Sequence, residues 1–436
     1  MTNWWCEYAY LPTGLARDVR LEVRDGRYAA ITPNSSPDAA SIFAGLALPG
    51  FANAHSHAFH RALRGRTHDG GGTFWTWRER MYQVAQRLNP DTYLALARAT
   101  YAEMALAGIT GVGEFHYLHH GPGGSRYDDP NAMGHALIQA ARDAGIRLTL
   151  LDTCYLAGGL DGGGHTGLNE VQQRFSDGTV ERWEARVSQL EATEQLRIGV
   201  GIHSVRAVPQ QDLAAIARAA GGRPLHFHLS EQPAENEATL AFYGQTPTEL
   251  LDGESALGPN STAVHATHLT AADIKRLGAT HTTACFCPTT ERDLADGIGP
   301  ARALADAGSP LSLGSDQHAV IDLLEEARTL ELHERLASNE RGRFTLPQLQ
   351  AALTAHAGIG FDDAGALAVG QRADLVTVDL NSTRTAGVDP AQLIFAATAA
   401  DIRDVCVDGR RIVTGGQHIL GDVGALLRRA IDPLYE

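Results

Sequence analysis

Lysine is nearly missing from this chain: of 436 residues, 36 are lysine or arginine, and the one lysine is Lys275. Acidic residues number 51, leaving a formal charge of -15, which argues against nucleic acid or an anionic membrane as the main partner. An anionic substrate would have to be captured by individual, locally placed arginines. Cysteine is scarce too. The five residues Cys6, Cys154, Cys285, Cys287 and Cys406 are odd in number and scattered, which excludes a disulfide framework and suits a reducing compartment. Cys285 and Cys287 lack the second pair that a structural zinc site needs. No run of 18 apolar residues occurs, and Met1 to Tyr10 carries no basic region followed by an apolar core, so a soluble cytoplasmic protein is expected. Several chemistries lack their signatures: the His-x-Glu and Pro-Cys-x-x-Cys pair of zinc base deaminases, the His-Glu-x-x-His helix, the phosphate loop and the dinucleotide fingerprint.

What is present centres on Pro49-Gly50-Phe51-Ala52-Asn53-Ala54-His55-Ser56-His57. Side chains alternate faces along a strand, so His55 and His57 point the same way with Cα atoms roughly 7 Å apart, a spacing from which two imidazoles can converge on one ion. Before this stretch the chain alternates in short runs such as Val19-Arg20-Leu21-Glu22-Val23 with the turn Asp25-Gly26, which predicts antiparallel strands. The C-terminal end repeats that pattern in 373–379 and 405–410. These ends predict one small β-sandwich domain built from 1–47 together with 366–436.

The middle, 48–365, has another rhythm: an apolar β-rich run, a polar or Gly-rich loop, then an Ala/Leu/Arg stretch of helical period. Eight such runs, 46–57, 108–117, 146–155, 196–205, 224–230, 261–268, 281–287 and 310–316, predict an α/β fold, a (β/α)8 TIM-like barrel. The Gly-rich loops 70–72 and 158–164 follow the first and third runs and are candidate lids.

In such a barrel the C-terminal strand ends form the active face. Here those ends are rich in histidine: His55 and His57; Glu114-Phe115-His116-Tyr117; His203-Ser204-Val205-Arg206; His226-Phe227-His228-Leu229-Ser230-Glu231; His265-Ala266-Thr267-His268; and Gly314-Ser315-Asp316. The recurrence at most strand ends points to a metal-dependent site.

The set His55-x-His57, His228-x-x-Glu231, His265 and Gly314-Ser315-Asp316, on eight predicted strands flanked by a split β domain, resembles the amidohydrolase superfamily. More narrowly, His55-Ser56-His57-Ala58-Phe59, Phe74-Trp75-Thr76-Trp77-Arg78-Glu79, Gly201-Ile202-His203-Ser204-Val205-Arg206 and Cys287-Pro288-Thr289-Thr290-Glu291 resemble the HutF-type N-formimino-L-glutamate deiminases of histidine degradation. The resemblance implies one divalent ion, Zn2+, held by His55, His57, His228 and Asp316. It implies Asp316 as acceptor of the water proton, His265 as its hydrogen-bond partner and Glu231 as the proton shuttle to departing ammonia. Arg78 and Arg206 would take the two carboxylates of a small anionic substrate, aided by Tyr117 and His203. Residue 60 departs from the family pattern: His60 stands where that pattern has glutamine, and a histidine can still donate a hydrogen bond. Binuclear members use a carboxylated lysine at a strand end; Lys275 lies in a stretch of helical period, so a mononuclear site is expected. The resemblance also suggests a homodimer.

Two other readings compete. A purine-ring deaminase on the same fold, guanine-deaminase-like, would favour aromatic stacking and amide donors over paired arginines. A non-catalytic metal-binding protein would have no use for the set Glu231, His265 and Asp316.

Overall fold

Eight parallel strands enclose the centre of the molecule: Phe51–Ser56, Ile109–His116, Arg147–Cys154, Leu196–Ile202, Leu225–Leu229, Ser261–His265, Thr283–Phe286 and Leu311–Leu313, hydrogen-bonded in sequence order. The structure, a computed structural model, describes residues 2–38, 40–68 and 72–436. All eight strands are buried along their whole length or at all but one position, the third beginning on the buried Arg147. That explains why they read as continuous apolar runs: a parallel strand inside a ring of helices has no solvent face. Each of the eight falls inside the run read from the sequence, and the α/β barrel stands as expected.

The ring closes between its first and last strands. Ser56 and Asp316 form a parallel bridge; Asp316 N donates to His55 O at 3.0 Å, and His57 N donates to Asp316 O at 3.2 Å. Closure therefore sets Asp316 beside the two histidines of the first strand.

The strands from the two chain ends form one continuous mixed sheet. From one edge to the other it runs Gln417–His418, Arg410–Thr414, Ile402–Val407, Leu375–Val378, Ser41–Leu48, Thr2–Leu11, Gly14–Arg24 and Arg27–Thr32. It curls until its two halves meet: Ala373 N donates to Gly26 O at 2.7 Å, and a Cβ on Gly26 would stand 3.2 Å from Asp408 O. The enclosed core contains Trp4, Cys6, Val19, Leu21, Tyr28, Phe43 and Leu375. All five cysteines are buried and free.

Two Gly-rich loops after barrel strands are expected from the sequence as lids. Of the loop 70–72, Gly70 and Gly71 lie outside the described residues. The loop 158–164 enters a short hairpin, Gly159–Asp161 with Gly164–Thr166, whose His165 contacts Tyr243 Oη at 2.8 Å and Arg206 O at 3.2 Å. Between the first two barrel strands the helix Phe74–Arg87 starts on a Thr73 capping box and buries Phe74, Trp77, Met81, Val84 and Ala85. That face anchors the helix, and the adjacent Arg78 is left half-buried at the cleft edge.

Candidate active site

Four side chains converge where the barrel closes. His55 Nε2 lies 3.1 Å from both His57 Nε2 and His228 Nε2. Asp316 Oδ1 lies 3.5 Å from His55 Nε2 and 3.3 Å from His57 Nε2. A tetrahedral ion with bonds of about 2.0–2.1 Å has ligand-to-ligand edges of about 3.3–3.4 Å, so these separations fit one small cation. The outer ring nitrogens agree. His57 Nδ1 meets Phe115 O at 3.0 Å and His228 Nδ1 meets His203 O at 2.9 Å. A carbonyl only accepts, so both Nδ1 atoms carry the proton and both Nε2 lone pairs face inward. Facing lone pairs at such distances repel unless a cation lies among them. Burial, the leading cause, pushes His55 down to about 3 and lowers His57 and His228 as well, keeping the imidazoles in their ligating neutral form.

A buried frame fixes this set. Glu114 accepts from Ser56 Oγ and from Ala58 N, each at 2.6 Å, clasping the chain on both sides of His57. Asn53 Oδ1 accepts from Ser315 N at 3.0 Å, holding the turn in which Asp316 adopts φ +41°. Positive φ recurs at neighbouring strand ends, Ser230 at +48° and His265 at +69°. Such backbone strain in non-glycine residues is retained where side chains must be aimed, as at functional sites.

Above the four side chains lies a cleft of ≈ 570 Å³ counting its open mouth, lined in part by His57, His60, Arg78, Tyr117, His203, Arg206, His228, Glu231, His265 and Asp316. His265 Nε2 stands 3.7 Å from both Glu231 Oε1 and Asp316 Oδ2, and its Nδ1 is 3.4 Å from Glu291 Oε1. Burial acts to lower the pKa of His265, but the Glu231 carboxylate foremost, with Glu291 and Asp316, raises it well above the ordinary range. Glu231 is raised, chiefly by burial. His60 Nε2 and Tyr117 Oη share a hydrogen bond at 2.9 Å. The Arg78 guanidinium rests 4.5 Å from the Trp75 ring centre.

Other residues of the histidine-rich strand ends lie elsewhere. His116 packs against His119, with ring centres 4.8 Å apart, beside Asp152. Asp152 is taken by Arg186 and Trp183, so that second cluster is a salt-bridged network. His226 bonds Gly358 O at 2.9 Å and His268 bonds Asp296 O at 2.7 Å. Lys275 is exposed on the helix Ala271–Ala279, away from the cleft lining.

A model of the amidohydrolase family matches residues 46–412. The chain belongs to that family. Residues 1–48 match a model described as the N-terminal domain of formimidoylglutamate deiminase HutF. A formimidoylglutamate deiminase from Pseudomonas aeruginosa is 37% identical over 438 residues, covering 96% of each chain. An amidohydrolase crystal structure from Brucella melitensis superposes with a TM-score of 0.91 at 30% identity, covering 100% of both chains. A zinc-bound adenosine deaminase from Xanthomonas campestris shares the fold, with a TM-score of 0.85 at 22% identity over 100% of this chain and 98% of its own.

The cleft also holds residues to which no role was assigned from the sequence. Trp77, Tyr82, Tyr155 and Phe175 line it, and Glu235 and Asp296 stand behind Arg206 and Glu231. Trp77 lies in the family-like segment Phe74 to Glu79, whereas Tyr82, Tyr155 and Phe175 have no local pattern to mark them. Glu291 belongs to the segment Cys287 to Glu291, whose spacing alone does not disclose its contact with His265.

Proposed function

We propose that this protein hydrolyses N-formimino-L-glutamate to N-formyl-L-glutamate and ammonia, using a single divalent ion, Zn2+, held by His55, His57, His228 and Asp316. The observation that carries this reading is one cleft with a cation-sized set of three imidazoles and a carboxylate at its floor and two arginines on its wall. The relative named formimidoylglutamate deiminase, similar from end to end, supports the choice of substrate.

When bound, the ion supplies Lewis-acid activation of water at neutral pH. Asp316, with Oδ2 toward His265, accepts the proton lost by the attacking water. His265 donates a hydrogen bond to the oxygen as it joins the formimino carbon. Glu231, beside His265 and raised by burial, passes that water proton to the imino nitrogen as the C–O bond forms, making it an amino group. The remaining hydroxyl proton then follows to the same nitrogen as the C=O bond forms, so the C–N bond breaks and the nitrogen leaves as ammonia. Such acid help contributes about 10²–10⁴ in rate. Arg78 and Arg206 pair with the two substrate carboxylates, and Tyr117, His203 and His60 add hydrogen bonds at the wall. Paired arginines suit a flexible dicarboxylate better than a neutral purine ring. The same reading includes a homodimer, a cytoplasmic location and a place in histidine degradation.

Ammonia release from N-formimino-L-glutamate, measured with and without a chelator, tests the proposal. Chelator-sensitive turnover that returns with Zn2+ is the expected result. Turnover of guanine with none of formiminoglutamate would transfer the site to the purine reading.

A further inference from the structure

The Arg206 guanidinium reaches the cleft wall with one of its faces already committed. Its Nε donates to Glu235 Oε2 at 2.9 Å, while Nη2 stands 3.7 Å from Glu231 Oε2. The Glu235 side chain is fully buried, in the first turn of the helix Pro233–Tyr243. Its other oxygen, Oε1, accepts from Ser230 N at 3.1 Å, at a residue with φ +48° immediately before Glu231. Both oxygens of Glu235 therefore face N–H donors.

We infer that Glu235 is a positioning residue for substrate recognition: by holding the Nε edge of Arg206 it turns the terminal amino groups of the fork into the cleft for one substrate carboxylate, and by holding Ser230 N it sets Glu231 beside that fork. The inference rests on the dicarboxylate reading above. A carboxylate is needed because each of its oxygens faces a different N–H, and an amide in its place would turn its NH2 against one of those donors. It also neutralises a buried arginine that would otherwise be costly in the substrate-free protein. Arg206 is thus presented as a fixed fork, less of whose freedom must be lost on binding.

The test uses metal-loaded full-length protein and glutarate, a dicarboxylate with no reacting group, as a competitive inhibitor of formiminoglutamate turnover. In Glu235→Gln the KM for formiminoglutamate and the Ki of glutarate should rise together by about ten- to a hundredfold, as for a lost charge-assisted contact. Arg206→Gln should show a loss at least as large. Adding Glu235→Gln to Arg206→Gln should raise the glutarate Ki no further, because the arginine being positioned is gone. A further rise of the glutarate Ki in the double variant, or an unchanged glutarate Ki in Glu235→Gln, overturns the inference. Should Glu235→Gln fail to fold, the double variant decides alone: it removes both buried charges, and a glutarate Ki weaker than that of Arg206→Gln overturns the inference. A wild-type protein that neither turns over formiminoglutamate nor binds glutarate is a failure of the substrate reading itself and is seen before any variant is made.

Discussion

At Arg78 the guanidinium rests over Trp75, 4.5 Å from the ring centre, and 5.7 Å from the ring centre of Tyr82. Aromatic faces hold such a group loosely in place while leaving its donors available. Arg206 is the opposite case, mostly buried and anchored to the fully buried Glu235. The two cleft arginines should therefore respond differently to substitution. Arg78→Gln should raise KM for formiminoglutamate about ten- to a hundredfold while leaving the melting temperature nearly unchanged, since a half-exposed position with no buried partner among the described residues contributes little to folding. Steady-state kinetics paired with a thermal melt checks this, and an unchanged KM would remove Arg78 from the binding wall. His60, in place of the family's glutamine, bonds Tyr117 Oη within the same cleft. A histidine lowered by burial remains neutral there, so it joins the wall as a hydrogen-bonding group and brings no added positive charge.

Among the elements, the third barrel strand and the curled sheet are joined by one buried ion pair. Arg147 opens the strand Arg147–Cys154 with no exposure, and its Nη1 donates to Asp374 Oδ1 at 2.9 Å and to Asp408 Oδ1 at 3.2 Å. Asp374 also accepts from Thr110 Oγ1 at 3.1 Å and from Asp408 N at 3.0 Å, and its backbone carbonyl from Tyr28 Oη at 2.7 Å. Burial alone would raise the pKa of Asp374, but Arg147 brings it below the usual carboxylate range. Removing one member leaves the other charged in a dry interface, a loss of about 3–5 kcal/mol. Asp374→Asn should show that loss in denaturant unfolding with kcat of the folded protein unchanged, because the pair is remote from the cleft. A cost under about 1 kcal/mol would mean water reaches the interface and solvates Arg147.

For the whole molecule, acid stability follows from histidines kept neutral inside it. Burial pushes His119, His226 and His356 each down to about 4 from an ordinary 6.5. The unfolded chain binds these protons first, so their share of stability is complete above about pH 6.5 and is lost as pH falls toward 4. His356 Nε2 donates to Gly50 O at 3.0 Å, a bond that a glutamine amide can supply without titrating. His356→Gln should therefore lose less stability between pH 7 and pH 5 than the parent, by up to about 2 kcal/mol at pH 5. Urea unfolding at the two pH values measures it; an identical pH dependence would show that His356 becomes protonated in the folded state without penalty. A second loss belongs to lower pH. Asp401, bound by Arg384 and Thr398 N, is held at about 2, so its contribution disappears as pH falls from about 4 through 2.

The sequence by itself determined the barrel and its strand positions, because a strand buried on both faces must be apolar along its length and that is written in consecutive residues. It also placed a metal-binding vocabulary at the strand ends, since His55 and His57 share a face through the two-residue period of one strand. Apart from the family resemblance, nothing in the spacing of the residues says which of the many histidines converge; that the tertiary structure decided. His228 comes within 3.1 Å of His55 across 173 residues, whereas His226, two residues from His228, bonds Gly358 O. The Glu235 to Arg206 contact, the Arg147 to Asp374 pair and the aromatic cleft wall were likewise decided by packing. Each joins residues distant in sequence, and such contacts leave no periodicity or spacing to be read before the chain closes on itself.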